Sequence, residues 1–191
     1  MMPATHHILS EQEYLAIENA SDSKHELING VAYAMAGASP AHNVITSNLA
    51  YELRAALQTA GRRCLVLGSD QRLLVEATGM YTYPDISVVC AKPQFHGDSP
   101  QSLVNPSLLV EVLSPSTASD DRGNKFAHYR RLPSLQELLF VYQDEPRVEH
   151  YKRLESGQWL MTEITEGAVE LPGLGCALPM DGIYAQLEML A

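Results

Sequence analysis

The chain has 191 residues, 46% of them hydrophobic, which suits one domain with a sizeable core and excludes a disordered chain. A formal net charge of −10 and a pI near 5.1 weigh against a nonspecific nucleic-acid coat protein and a polybasic membrane binder. No apolar run approaches the roughly 20 residues of a membrane span, and the first residues show neither the basic n-region nor the apolar h-region of a leader.

Taken in chain order, Ser10 to Asn19 reads as a short helix. Ser10 is its N-cap and Glu13 completes a capping box. Lys24 to Met35 reads as a hairpin, because Asn29-Gly30 between two alternating runs is a strong turn signal. Ser39-Pro40 opens a long helix that runs to about Thr59 and closes at Gly61, with Val44, Leu49, Leu53, Ala56 and Leu57 as its apolar stripe. Cys64–Leu67, Arg72–Val75, Tyr83–Cys90 and Leu108–Leu113 read as strands. Ala91–Pro106 reads as a polar loop and Ser114-Pro115-Ser116-Thr117 as a break. A helix follows from about Asp121 to Leu132. Then come strand-like runs at Glu137–Tyr142, Arg147–Leu154 and Gln158–Ile164, a turn at Glu155-Ser156-Gly157, and a final short helix or pair of turns in Leu178–Leu190. The expected fold class is a mixed α/β domain (α+β, one mixed central sheet) spanning residues 1–191, with helices covering the sheet and extra antiparallel strands at its C-terminal side. Cys64, Cys90 and Cys176 are odd in number, far apart and lack a CxxC pair. They predict no disulfide framework, no zinc–thiolate site and a cytoplasmic setting.

Two of the predicted strands carry a carboxylate within an apolar run: Asp85 at the start of one and Glu111 inside the other. An ionised carboxylate in a sheet core is costly unless a cation or hydrogen-bond donors compensate it. Two of them on neighbouring strands point to a divalent cation between them, with the carbonyl oxygen of Val112 as a further ligand. Lys125, on the helix that follows, is the nearest candidate to orient a nucleophilic water or stabilise charge on a phosphate.

Pro84-Asp85 followed by Glu111 resembles the PD-(D/E)XK nuclease motif. The wider pattern includes Glu26-Leu27-Ile28-Asn29-Gly30, Ala36-Gly37-Ala38-Ser39-Pro40-Ala41-His42-Asn43, Ser69-Asp70, Tyr83-Pro84-Asp85, Asn105-Pro106, Glu111-Val112-Leu113-Ser114-Pro115-Ser116-Thr117, Asp121-Arg122-Gly123-Asn124-Lys125, Tyr129 and Pro146-Arg147-Val148. It is similar to the Uma-type restriction endonuclease family of bacteria. That resemblance implies a restriction endonuclease-like core and a Mg²⁺- (or Mn²⁺-) dependent site at Asp85 and Glu111. It also implies that a lysine on the next helix, here Lys125, substitutes for the motif lysine, since Leu113 stands in the motif position. Further departures are Leu138, where the family tends to have an aromatic residue, and Tyr142, near the strand end where it tends to have aspartate.

Three more residues carry two readings each. Glu26 is a solvent-facing strand residue or, from the resemblance, an additional metal-site carboxylate. Asp70 is a turn residue or a site residue. His42 is a polar residue of the first helical turn or a group at the site mouth that meets phosphate with help from the helix N-terminus. The leading expectation is a metal-dependent endonuclease acting on DNA, as a homodimer without a membrane anchor. Its rivals are a catalytically silent nuclease-fold module that binds nucleic acid or protein, and a metal hydrolase of small phosphoesters.

Overall fold

The computed structural model describes residues 8–97, 101–114 and 118–190, leaving aside the side chains of 118–121. Helix α1 (Glu11–Ala20) starts at the predicted capping box: Ser10 Oγ accepts from the Glu13 amide and the Glu13 carboxylate accepts from the Ser10 amide. Strands β1 (His25–Ile28) and β2 (Val31–Ala34) form the predicted hairpin. Asn29 and Gly30 both take positive φ, 52° and 79°, as a two-residue turn between twisted strands demands. Helix α2 (Pro40–Thr59) begins after Ser39, whose hydroxyl accepts from the His42 amide. Its buried stripe is Ile45, Leu49, Leu53 and Leu57. Ile45 replaces the expected Val44 because the stripe keeps a strict spacing of four.

Strands β3 (Leu65–Gly68), β4 (Leu73–Val75), β5 (Met80–Thr82) and β6 (Ile86–Val89) follow. The expected strand Tyr83–Cys90 is thus shortened. Pro84 has no N–H for a ladder, and Tyr83–Asp85 instead carry the chain from one sheet to another. The stretch expected as loop contains two short strands, β7 (Phe95–His96) and β8 (Ser102–Leu103). Strand β9 (Leu108–Leu113) is as expected. Residues 115–117 of the expected break lie outside the described residues. Helix α3 (Ala118–Tyr129) starts earlier than expected. Strands β10 (Glu137–Tyr142), β11 (Val148–Arg153) and β12 (Trp159–Ile164) agree with the sequence. A hairpin of β13 (Ala168–Leu171) and β14 (Cys176–Pro179) was not expected. It leaves only α4 (Met180–Ile183) and a 3-10 turn, Leu187–Leu190, for the final helical segment.

The expected mixed α+β fold with flanking helices is present, and its strands divide between two mixed six-stranded sheets, ordered β2-β1-β5-β4-β8-β7 and β12-β11-β10-β9-β6-β3. In the second, β9 and β10 run parallel and the other neighbours antiparallel. One face of this sheet, with Val110, Val112 and Leu139, packs on the α2 stripe and on Val169, Leu178 and Ile183. The other face, with Leu109, Leu113 and Phe140, packs on Tyr129 and Leu132 and on Leu73 and Met80 of the first sheet. Glu111 alternates with Leu109 and Leu113, so it points toward α3 and the first sheet.

The cysteine expectation is corrected. Cys64 and Cys90 form a disulfide, because the antiparallel β3–β6 register pairs Leu65 with Val89 and the next step sets the two cysteines opposite each other. Their separation of 26 residues hid the pairing, and the cysteine argument for a cytoplasmic setting goes with it. No described helix is long and apolar enough to cross a membrane.

Candidate functional site

The β6–β9 ladder pairs Ile86 with Val110, so one further step of the same register sets Asp85 against Glu111. The ladder stops there because β6 begins at Ile86. The Asp85 carboxylate supplies the next acceptor itself, taking the Val112 amide at 2.7 Å. The same oxygen lies 3.2 Å from His42 Nε2, in the first turn of α2.

Glu111 is buried and both its oxygens are engaged. Oε2 receives Lys125 Nζ at 3.0 Å and Oε1 receives the Tyr129 hydroxyl. Lys125 and Tyr129 are four residues apart on α3 and therefore share a face. Lys125 Nζ is also 3.4 Å from Glu26, and Glu26 accepts from the Thr82 hydroxyl. Glu26 and Thr82 stand on β1 and β5 of the first sheet, so the cluster forms at the seam of the two sheets. Helix α3 is held there by two anchors. Arg122 pairs with buried Glu149 at 2.7 Å. Phe126 packs against the Tyr151 and Trp159 rings with centroids 4.7 and 5.6 Å away.

Burial pushes the Glu111 carboxyl up to about 7; Lys125 opposes this, while Asp85 and Glu26 add to it. The hydrogen bond to Asp85 raises the His42 imidazole, against a smaller opposing effect of its own burial. Burial, reinforced by Glu111, keeps the Tyr129 hydroxyl far above its usual range and so in its donor form. The carboxylates of Glu26, Asp85 and Glu111 together carry more negative charge than Lys125 balances. Hard oxygen donors in that excess suit Mg²⁺, which takes one or two carboxylates and completes its shell with carbonyls and water. Among the described residues no three His, Cys, Asp or Glu side chains form a ready-made metal cage. A cation here would therefore draw on Asp85, Glu111 and ligands that are not side chains.

The structure thus gathers Glu26, His42, Asp85, Glu111 and Lys125 in one network. Asp70 stays outside it: its side chain is 96% exposed and paired with Lys24. With Asp85 it lines an open cleft of about 560 Å³ between α2 and β3. In the sequence Tyr129 stands only within the wider family pattern, with no chemical role given to it, and Thr82 is not singled out. The Lys125–Tyr129 spacing of four was a usable signal for the first. Thr82 gave none, because its partner Glu26 lies 56 residues away.

A family model, Uma2, described as "Putative restriction endonuclease", matches residues 11–181. The uncharacterised protein sll1609 of Synechocystis sp. is 42% identical over 164 residues, covering 86% of this chain and 92% of its own. Another from the same organism, slr1290, is 37% identical over 180 residues, covering 94% and 93%. A crystal structure of a "putative nuclease belonging to DUF820" from Anabaena variabilis superposes with a TM-score of 0.71 at 16% identity, covering 91% of this chain and 96% of that one. That likeness is one of fold.

Proposed function

The chain belongs to the Uma2 family, and on that premise we propose that it is a divalent-metal-dependent endonuclease that hydrolyses phosphodiester bonds of DNA. The observation that carries this reading is the β6–β9 register, whose next step beyond Ile86–Val110 sets Asp85 opposite Glu111, with Lys125 held 3.0 Å from Glu111 by the next helix. Mg²⁺ or Mn²⁺ bound by Asp85, Glu111 and the Val112 carbonyl would polarise the scissile phosphate and offset the charge that develops during in-line attack. His42 and the Val112 amide fix the Asp85 carboxylate. Tyr129 and Lys125 fix Glu111. The ammonium of Lys125 orients the attacking water and stabilises the charge gathering on the phosphate. On this reading water and substrate would reach the site from the cleft that Asp85 lines, which Glu111 and Lys125 do not themselves line. The dimer expected from the C-terminal strands belongs to this reading. Its seat is β12, an edge strand on which Leu160 and Met161 are half exposed, and light scattering measures it.

The test is incubation of purified protein with plasmid, single-stranded DNA and RNA in Mg²⁺, Mn²⁺ or excess chelator. Cleavage of DNA by the wild type is expected to stop in chelator and to fall at least about 100-fold in Asp85→Asn and Glu111→Gln, the scale of losing a group that acts on the transition state. A wild type that turns over none of these substrates, yet binds a nucleic acid or protein as well as Glu111→Gln does, would place the chain with the silent modules instead.

A further inference from the structure

The cleft at Asp85 does not end beside the carboxylates. A second cleft, of about 340 Å³, shares Arg54 and Val66 with the first, so the two are compartments of one groove between α2 and β3. From Thr46, beside Asp85, to Gln58 the groove follows 12 residues of α2, about 18 Å at the helical rise of about 1.5 Å per residue. Its charge changes sign along that path. The near compartment holds Asp85, with Asp70 engaged by Lys24. No carboxylate lines the far one, which holds Arg54, Arg62 and Arg63.

Unlike Arg122 and Arg147, and like Arg130 and Arg131, these arginines have no carboxylate partner among the described residues. Arg122 is engaged by Glu149, and Arg147 by Glu145, Glu149 and Glu163. Among the described residues Arg54 donates only to the Val66 carbonyl, so its guanidinium reaches from α2 to β3 where the two compartments meet. Arg62 and Arg63 are exposed and form no ion pair with a described carboxylate. In a chain of net charge −10, a groove that is acidic at the reaction end and basic beyond it matches a polyanion whose scissile phosphate meets a metal and whose flanking phosphates meet arginine.

We infer that the α2–β3 groove holds one strand of nucleic acid, its phosphodiester backbone running from Asp85 past Arg54 to Arg62 and Arg63. This rests on the nuclease reading above and adds where the strand lies and which residues hold it. It also makes the footprint one-sided: contacts extend from the cut toward the C-terminal end of α2.

The experiment is fluorescence anisotropy of a labelled 12-nucleotide DNA in chelator, at several salt concentrations. The proteins are the wild type, Arg54→Ala, Arg62→Ala/Arg63→Ala, the triple variant, and Arg130→Ala/Arg131→Ala, which removes the basic doublet outside the groove. The triple variant is expected to bind at least about 30-fold more weakly. Its log K against log salt slope should be smaller by about 2, since each single-strand phosphate contact contributes about 0.7. The control doublet should keep the wild-type slope. Circular dichroism at each salt concentration checks that the folded fraction stays constant, the condition under which a partly unfolded variant keeps its slope. If the wild type binds and cleaves while the triple variant keeps both affinity and slope, the groove assignment is wrong and the nuclease reading stands. If the groove variants instead lose binding to an acidic peptide but not to DNA, the groove has a protein occupant and the assignment is likewise wrong. If the wild type neither binds nor cleaves any nucleic acid, the nuclease reading fails and the groove assignment with it.

Discussion

Glu111 has its two oxygens divided between a charged donor and a neutral one, Lys125 on Oε2 and Tyr129 on Oε1. Tyr129→Phe removes one of them and leaves the cavity filled. A hydrogen bond to a charged group contributes about 1.5–3 kcal/mol, so urea unfolding of Tyr129→Phe should show a loss in that range. Cleavage should fall as well, because Glu111 regains rotational freedom. His128, one residue before Tyr129, faces Thr78 with Nδ1 2.8 Å from its hydroxyl. Burial lowers the His128 pKa, so the fold favours the neutral ring. Its contribution to stability is complete above the unfolded value of about 6.5 and is lost as pH falls through that value toward the folded one. Unfolding free energy should therefore decline on acidification below about pH 6.5, by at most about 1.4 kcal/mol per pH unit from this group. In His128→Gln that part of the slope should vanish, as measured by urea titrations at successive pH values. Asp85, Glu111 and Lys125 were legible one by one, because carboxylates inside apolar strands and a lysine on the next helix stand out. Tyr129 was visible only as a member of the wider pattern, and the structure makes it both core and hydrogen-bond donor.

Elements with strong local chemistry were read with nearly correct boundaries. The capping box of α1, the Ser39-Pro40 start of α2 and the Asn29-Gly30 turn each encode a backbone conformation in adjacent residues. The turn offers a direct check. Gly30 sits at φ 79°, and a Cβ there would collide with Ile8 Cγ2. Ile8 is exposed and can move aside, so the backbone dominates the cost, about 1–2 kcal/mol for a left-handed non-glycine residue. Thermal or urea unfolding of Gly30→Ala should show a loss of at least that size. Strands β5, β7, β8, β13 and β14 escaped notice, or were absorbed into neighbouring segments, for the opposite reason. They are two to four residues long, too short for an alternation of period two to stand out. They are held by one another and by equally short neighbours: β13 pairs only with β14, β7 with β8, β8 also with β4, and β5 with β1 and β4.

At the scale of the molecule, the sequence showed a mixed fold and not its division into two sheets. The division depends on Tyr83–Asp85 crossing between sheets and on pairings such as β9 with β10, set by packing between residues that are not neighbours in the chain. The disulfide belongs to this scale. It closes a loop of 26 residues, for which the loop-entropy relation gives about 3–4 kcal/mol. Cys64→Ser/Cys90→Ser should lose about that much in unfolding free energy, and reductant should lower the wild type to the level of the variant. An unchanged midpoint under reductant would mean the bridge carries no stability. The lysine that reaches Glu111 from α3 has a consequence for descent. Position 113, two beyond Glu111, holds a leucine buried with Tyr129 and Phe140 and so serves the core. On the proposed reading, what descendants must inherit is a distance between a helix and a strand, not a word of consecutive letters. Lineages can rewrite the strand around Glu111 while the ammonium keeps its reach. A comparison of shape accordingly finds the same fold at 16% identity.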